Sequence, residues 1–217
     1  MSIRARLPRR LRVVFEGQRQ PNGEPRSAAT PEIPTVELTV FADDSVASGR
    51  LALTADRVTD LMNDRTEFEF VDTLLQSIAD GHELMVRSIV IERDEIFAVA
   101  VTGPRGDPNR RTRTRPIPIE VRVGHYDVSG NIHVIPGTDP ILGFRRRRVM
   151  VPLTEATIEY DTPHGRVVNA CGTLLVNREL TAWIAPATRA DVRPPSTLRE
   201  LDGPGVDLGF PSRRRVW

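Results

Sequence analysis

The chain of 217 residues is 39% hydrophobic and 27% charged, a balance suited to a soluble globular protein with room for one medium domain or two small ones. No run of about 18 apolar residues occurs, and the basic start MSIRARLPRRLRVVFEG lacks the apolar stretch of a secretory signal, so the chain reads as soluble and cytoplasmic. The formal net charge of +1 hides an asymmetry: residues 36–101 carry 14 Asp or Glu against 5 Arg, whereas residues 104–118 carry 5 Arg against Asp107 alone.

All 30 basic residues are arginine. The first 30 residues add 7 Arg against 2 Glu, so basic arms and an acidic body are separate features. Cys171 is the single cysteine, which excludes an intramolecular disulfide and a thiol pair for zinc; NACGTLL around it reads as a buried strand with an inert thiol.

In chain order, residues 1–33 form a basic N-terminal arm without apolar periodicity. VELTVFADDSVASGRLAL, residues 36–53, alternates as two short strands, and DRVTDLMND, residues 56–64, places Val58, Leu61 and Met62 on one helical face. FEFVDTLL from Phe68, LMVRSIVI and IERDEIFAV complete a first unit over residues 34–101. TGPRGDPNRRTRTRPIP then combines Gly, Pro and Arg, so residues 102–117 are expected to be a linker.

A second unit over residues 118–186 repeats the first. IEVRVGHYDVSGNIHV, residues 119–134, lies against residues 36–53 with Gly49 opposite Gly130. VPLTEATI from Val151 lies against FEFVDTLL, pairing Asp72 with Glu155, and VNRELTAWI, residues 176–184, lies against IERDEIFAV. Three matched blocks in one order, about 81 to 85 residues apart, make the chain a tandem of similar domains. TDPILGF, the counterpart of the helix, contains Pro140 and Gly143 and is expected to be only a turn. Residues 187–217 form a Pro- and Gly-containing tail.

About five alternating strands in each unit, split by turn sequences such as YDVSGN, PGTDP and TPHG, favour curling into a small barrel, which removes most exposed edges. The fold class is thus all-β: two similar five-stranded small barrels in tandem, with little helix and flexible Arg/Pro-rich arms. A glycine within the second strand, an acidic residue following the apolar start of the third, and a closing hairpin shaped like VNRELTAWI together resemble the Sm-like (SH3-like) small β-barrel, and short bacterial domains of unknown function with the same layout. The resemblance covers roughly two thirds of the chain. It implies a bent five-stranded barrel, often ring-forming, and in many members RNA binding through the third-strand loop and closing hairpin. In such barrels the fourth and fifth strands are free to pair, so LMVRSIVI or TLLVNREL is expected to seek another edge, within the chain or between chains.

RRTRTR supplies an Arg-x-x-x-Arg spacing at Arg111 and Arg115 before a strand, which resembles the cyclic-dinucleotide-binding PilZ domain; its second element is matched only in part, by DVSG at residues 127–130. His82, His125, His133 and His164 are scattered, with no metal-site or paired-carboxylate spacing, and no nucleophile elbow, phosphate loop or dinucleotide fingerprint occurs, so no catalytic, cofactor-binding or metal residue is assigned and an enzyme is not expected. The candidate contact residues for a protein partner or nucleic acid are Arg110, Arg111, Arg113 and Arg115 of the linker, Arg145, Arg146, Arg147 and Arg148 before the third strand of the second unit, and Arg178 in its closing hairpin. The four consecutive arginines must meet solvent, acidic side chains or phosphate. A solvated strand entry, docking on the acidic first unit, a protein partner and nucleic acid are the alternatives, with a non-catalytic interaction or scaffold protein as the leading reading.

Overall fold

The structure is a computed structural model that describes residues 33–101 and 113–187. Period-two burial produces ten antiparallel strands. The first half runs β1 (Thr35–Phe41), β2 (Ser45–Ala52), α1 (Val58–Asp64), β3 (Glu67–Ser77), β4 (Glu83–Glu92) and, after a 3₁₀ turn at Arg93–Glu95, β5 (Ala98–Val101). The second half repeats it as β6 (Arg115–Val123), β7 (Tyr126–Val134), α2 (Pro140–Arg145), β8 (Met150–Thr162), β9 (Gly165–Asn177), a 3₁₀ turn at Arg178–Leu180, and β10 (Thr181–Pro186).

Two short elements differ from expectation. TDPILGF is a helix and not merely a turn, because Pro140 stands at its start, where a missing N–H costs nothing, and Asp139 accepts a hydrogen bond from the Leu142 N–H at 2.7 Å. Strand β6 begins at Arg115, inside the expected linker. Pro116 and Pro118 are tolerated there because they share one parity, with the Pro118 carbonyl turned away from β7 to accept from the Ala187 N–H at 3.1 Å.

The pairing repeats closely. Leu38 faces Gly49 as Ile119 faces Gly130, so the counterpart of Ile119 is Leu38, two residues beyond Val36. Each half then has a bulge at the same place, between Ser48 and Arg50 against β3 and between Ser129 and Asn131 against β8. Asp72 and Glu155 sit opposite these bulges in left-handed backbone, with φ of 47° and 49°. Arg50 pairs with Asp72, and the Asn131 amide donates to Glu155 Oε2 at 3.0 Å. The acidic positions matched in the sequence are therefore bend residues, each held by the residue that follows the glycine.

Strand order is β10-β6-β7-β8-β9-β5-β1-β2-β3-β4 in one ten-stranded sheet. Each half has the internal order fifth, first, second, third, fourth. Among the described residues no ladder joins β4 to β5 or β9 to β10, so neither half closes as a hydrogen-bonded cylinder. The open side of β9 is instead taken by β5 of the first half, with Ala98 opposite Val176, Val99 opposite Leu175 and Ala100 opposite Leu174. This is the within-chain version of the expected edge pairing of TLLVNREL.

Two apolar clusters form, and each is shared. Phe41, Val46 and Ala98 of the first half join the cluster of the second; Met150 and Leu175 of the second join that of the first. At the seam Tyr126 is fully buried, its hydroxyl donating to the Ala42 carbonyl at 2.5 Å and its ring against Phe41, Phe97, His125 and Tyr160.

Candidate interaction edges and arginine clusters

The four arginines before β8 have separate fates. Arg147 is half-buried and folds back to donate to the His133 carbonyl; its burial lowers its pKa from the usual range. Arg148 reaches across the seam to Asp64 Oδ1 at 2.5 Å, at the end of α1. Docking on the acidic first half is thus met by Arg148. The pair is well exposed and contributes about 0–1 kcal/mol. Arg145 and Arg146 are exposed and make no ion pair with another described residue.

Buried polar contacts do more at the seam. The Asn63 side chain accepts from the Met150 N–H at 2.9 Å and donates to the Met150 carbonyl at 3.1 Å, continuing a strand-like pairing onto β8. Asn177, 1% exposed, donates to the carbonyls of Arg93 and Ile96 at 3.0 and 2.9 Å. The Sm-like resemblance places Asn63, with Asp60, at that family's loop Asp and Asn, whereas Asn177 did not stand out in the sequence. A polar residue closing the apolar run TLLVN was the one available signal for Asn177.

Of the other candidates, Arg113 and Arg115 are exposed, while Arg110 and Arg111 lie outside the described residues. Arg115 pairs in register with Val134, next to His133, whose carbonyl takes Arg147. The end of the Arg-rich segment and the arginines after α2 therefore converge at one end of the second half. Arg178 lies in the closing turn, 3.6 Å from Glu179, its Nε buried without a described partner. Its equivalent Arg93 donates to the carbonyls of Asn63 and Arg65 at 3.0 and 3.1 Å, so this hairpin arginine is turned onto backbone in the first half.

The histidines do not gather. His82 and His164 are exposed in turns, His133 bonds Thr154 Oγ1 at 2.9 Å, and His125 stacks on Tyr126, its pKa lowered by burial. Among the described residues no group of three His, Cys, Asp or Glu is placed to hold a metal ion. Cys171 lies half-buried on β9, and burial pushes its thiol up to about 11, so it stays protonated near neutrality. Two surface depressions among the described residues are open to solvent. One of about 230 Å³ lies between β6, β7 and β8 beside Trp183, crossed by Arg166, which bonds Glu159 at 2.6 Å.

Each half leaves one strand edge open among the described residues. Among the described residues, strand β10 has only β6 beside it, and β4 has only β3. On β10, Trp183 is 46% exposed; on β4, Leu84 and Met85 are exposed. At the end of β4, Glu92 stands directly opposite Glu67, and neither carboxylate has a described partner. Like charges facing each other across a ladder are destabilising. Among the described residues no helix is long and apolar enough to cross a membrane. No protein-family model, no curated protein and no solved structure matches the chain.

Proposed function

We propose that this protein is a non-catalytic interaction or scaffold protein, built from two Sm-like or SH3-like small barrel units, that assembles through sheet edges. The observation that supports this reading is the β5–β9 seam: the chain already recognises itself by adding one strand edge to another, and among the described residues one edge of each kind is left uncovered. Exposed edges of this length are normally blunted in proteins that stay alone.

Light scattering with hydrogen exchange over a protein concentration series tests it. The expected result is a mass above 24.2 kDa and slowed exchange in β4 and β10 of the associated form. A monomer whose β4 and β10 amides exchange freely at every concentration overturns it. The convergence of Arg115 with the arginines after α2 favours a second reading, a phosphate backbone held at that end. In that case affinity for single-stranded RNA falls with salt, and replacing Arg145 and Arg146 by Ala lowers the log-log slope by about 1.4, at about 0.7 per phosphate contact.

A further inference from the structure

The repeat allows the free edges to be read against the occupied one. Strand β10 corresponds to β5 and β4 to β9, because both halves share the same order and the same 3₁₀ turn before the last strand. We propose that β10 of one chain adds to β4 of a second copy in the register of the seam, placing Trp183 opposite Ile91, Ile184 opposite Val90 and Ala185 opposite Ile89, with Arg145 and Arg146 meeting Glu67 and Glu92 of that copy. This rests on the edge-assembly reading above and names its occupant.

Three observations carry it. First, charge is complementary at matching places. At the seam, the end of α1 meets the start of β8: Asn63 holds Met150, Asp64 holds Arg148, and Asn177 stands opposite Met150. In the other half the end of α2 offers Arg145 and Arg146, and the counterparts of Met150 and Asn177 are Glu67 and Glu92. Two arginines without an ion pair among the described residues thus occupy one edge, and two carboxylates likewise without a described partner, forced together by their own register, occupy the other.

Second, bulk is exchanged between the sides. At the seam, Ala98 is fully buried next to Phe41, which packs on Tyr126 and Tyr160. At the free edges Trp183 replaces Ala98, while Ser45 and Ser77 stand where Tyr126 and Tyr160 are. A large residue on one side therefore faces small ones on the other.

Third, the strand that must receive the neighbour has an unfinished apolar position. Leu175, between Leu174 and Val176, is fully buried in the opposite half's cluster, whereas its counterpart Val90 is only half-buried. Pro186 lies beyond the residues that would pair, as its counterpart Val101 lies beyond Ala100. The contact is head-to-tail, so repetition gives a closed ring or an open filament according to the rotation between copies.

Charge exchange tests this. The Arg145→Glu/Arg146→Glu and the Glu67→Arg/Glu92→Arg variants should each raise the concentration for half-association by about tenfold or more, and the chain carrying all four changes should recover wild-type association. All four positions are exposed, and circular dichroism checks that the folds are unchanged. Val90→Asp separates the two levels. If it abolishes association while the charge variants associate as the wild type does, edge assembly stands and the Arg–Glu contact falls. If the four-fold variant fails to recover, the contact also falls. A wild-type chain that stays monomeric overturns this inference and the edge-assembly reading together.

Discussion

Tyr126→Ala is expected to destabilise the fold by about 3–5 kcal/mol, the range for deleting a buried aromatic ring. Tyr126 is fully buried, with ring centroids of Phe41, Phe97 and Tyr160 at 5.6, 5.9 and 5.4 Å, so its removal empties the place where the two halves meet. Tyr126→Phe keeps the ring and removes only the donor to the Ala42 carbonyl, for a cost of about 1–3 kcal/mol if that oxygen stays unsatisfied. Burial raises the Tyr126 pKa, so the hydroxyl remains a donor across the neutral and mildly alkaline range. Urea unfolding followed by circular dichroism measures both. A single cooperative transition that shifts for both variants is expected, because each cluster contains residues of both halves. A biphasic curve with one phase unaffected would show that the halves are energetically separate.

Gly49→Ala is expected to cost about 1–3 kcal/mol by overpacking. A Cβ there would lie 2.4 Å from Thr73 Oγ1 and 3.1 Å from Thr73 Cβ, on a strand bent by the bulge at Asp72. Thr73→Ala removes the hydroxyl, which is buried without a described partner, and leaves an arrangement close to that of Gly130 over Ala156, where the corresponding separation is 3.0 Å. The double variant should therefore regain part of the loss, with a coupling of about 0.5–3 kcal/mol in a double-mutant cycle. Simple additivity would mean that Thr73 is not what the new methyl group meets.

The tandem organisation was legible because bulges and close approaches demand particular residues. Gly49 and Gly130 are required where a facing strand leaves no room for Cβ, and Asp72 and Glu155 mark the two left-handed bends. The all-β class followed from period-two burial along strands such as β7. The match of Gly49 to Gly130 holds in the register, which makes Leu38 the counterpart of Ile119. Helix α2 was hidden by Pro140, a residue that ends helices from within but favours their first turn.

At the candidate site, docking of the arginines on acidic residues was foreseen as one alternative, and Arg148 on Asp64 realises it. That Arg147 would turn inward while Arg145 and Arg146 stay out depends on the path after α2, which a run of identical residues cannot encode. The facing pair Glu67 and Glu92 lies 25 positions apart along the chain and becomes visible only through the β3–β4 register. Continuous pairing across the seam was likewise not specified, since both β4 and β9 read as strands equally able to accept a neighbour.

The sharing of the two clusters sets a timetable for synthesis. Strand β5 and the apolar side chains of Phe41, Val46 and Ala98 are made early, yet Tyr126 and Tyr160, which pack on Phe41, come later and β9, which pairs with β5, ends only at Asn177. About 75 more residues must be added after Val101, which takes about 4–15 s at about 5–20 residues per second. During that interval the nascent first half presents an unpaired strand and a partial aromatic surface next to polysomal neighbours carrying the same half. Its Val99 and Ala100 edge could accept β4 of such a neighbour, the counterpart of its own absent β9. Slow translation across residues 102–177 should therefore raise the yield of insoluble chain, and acceleration there should lower it.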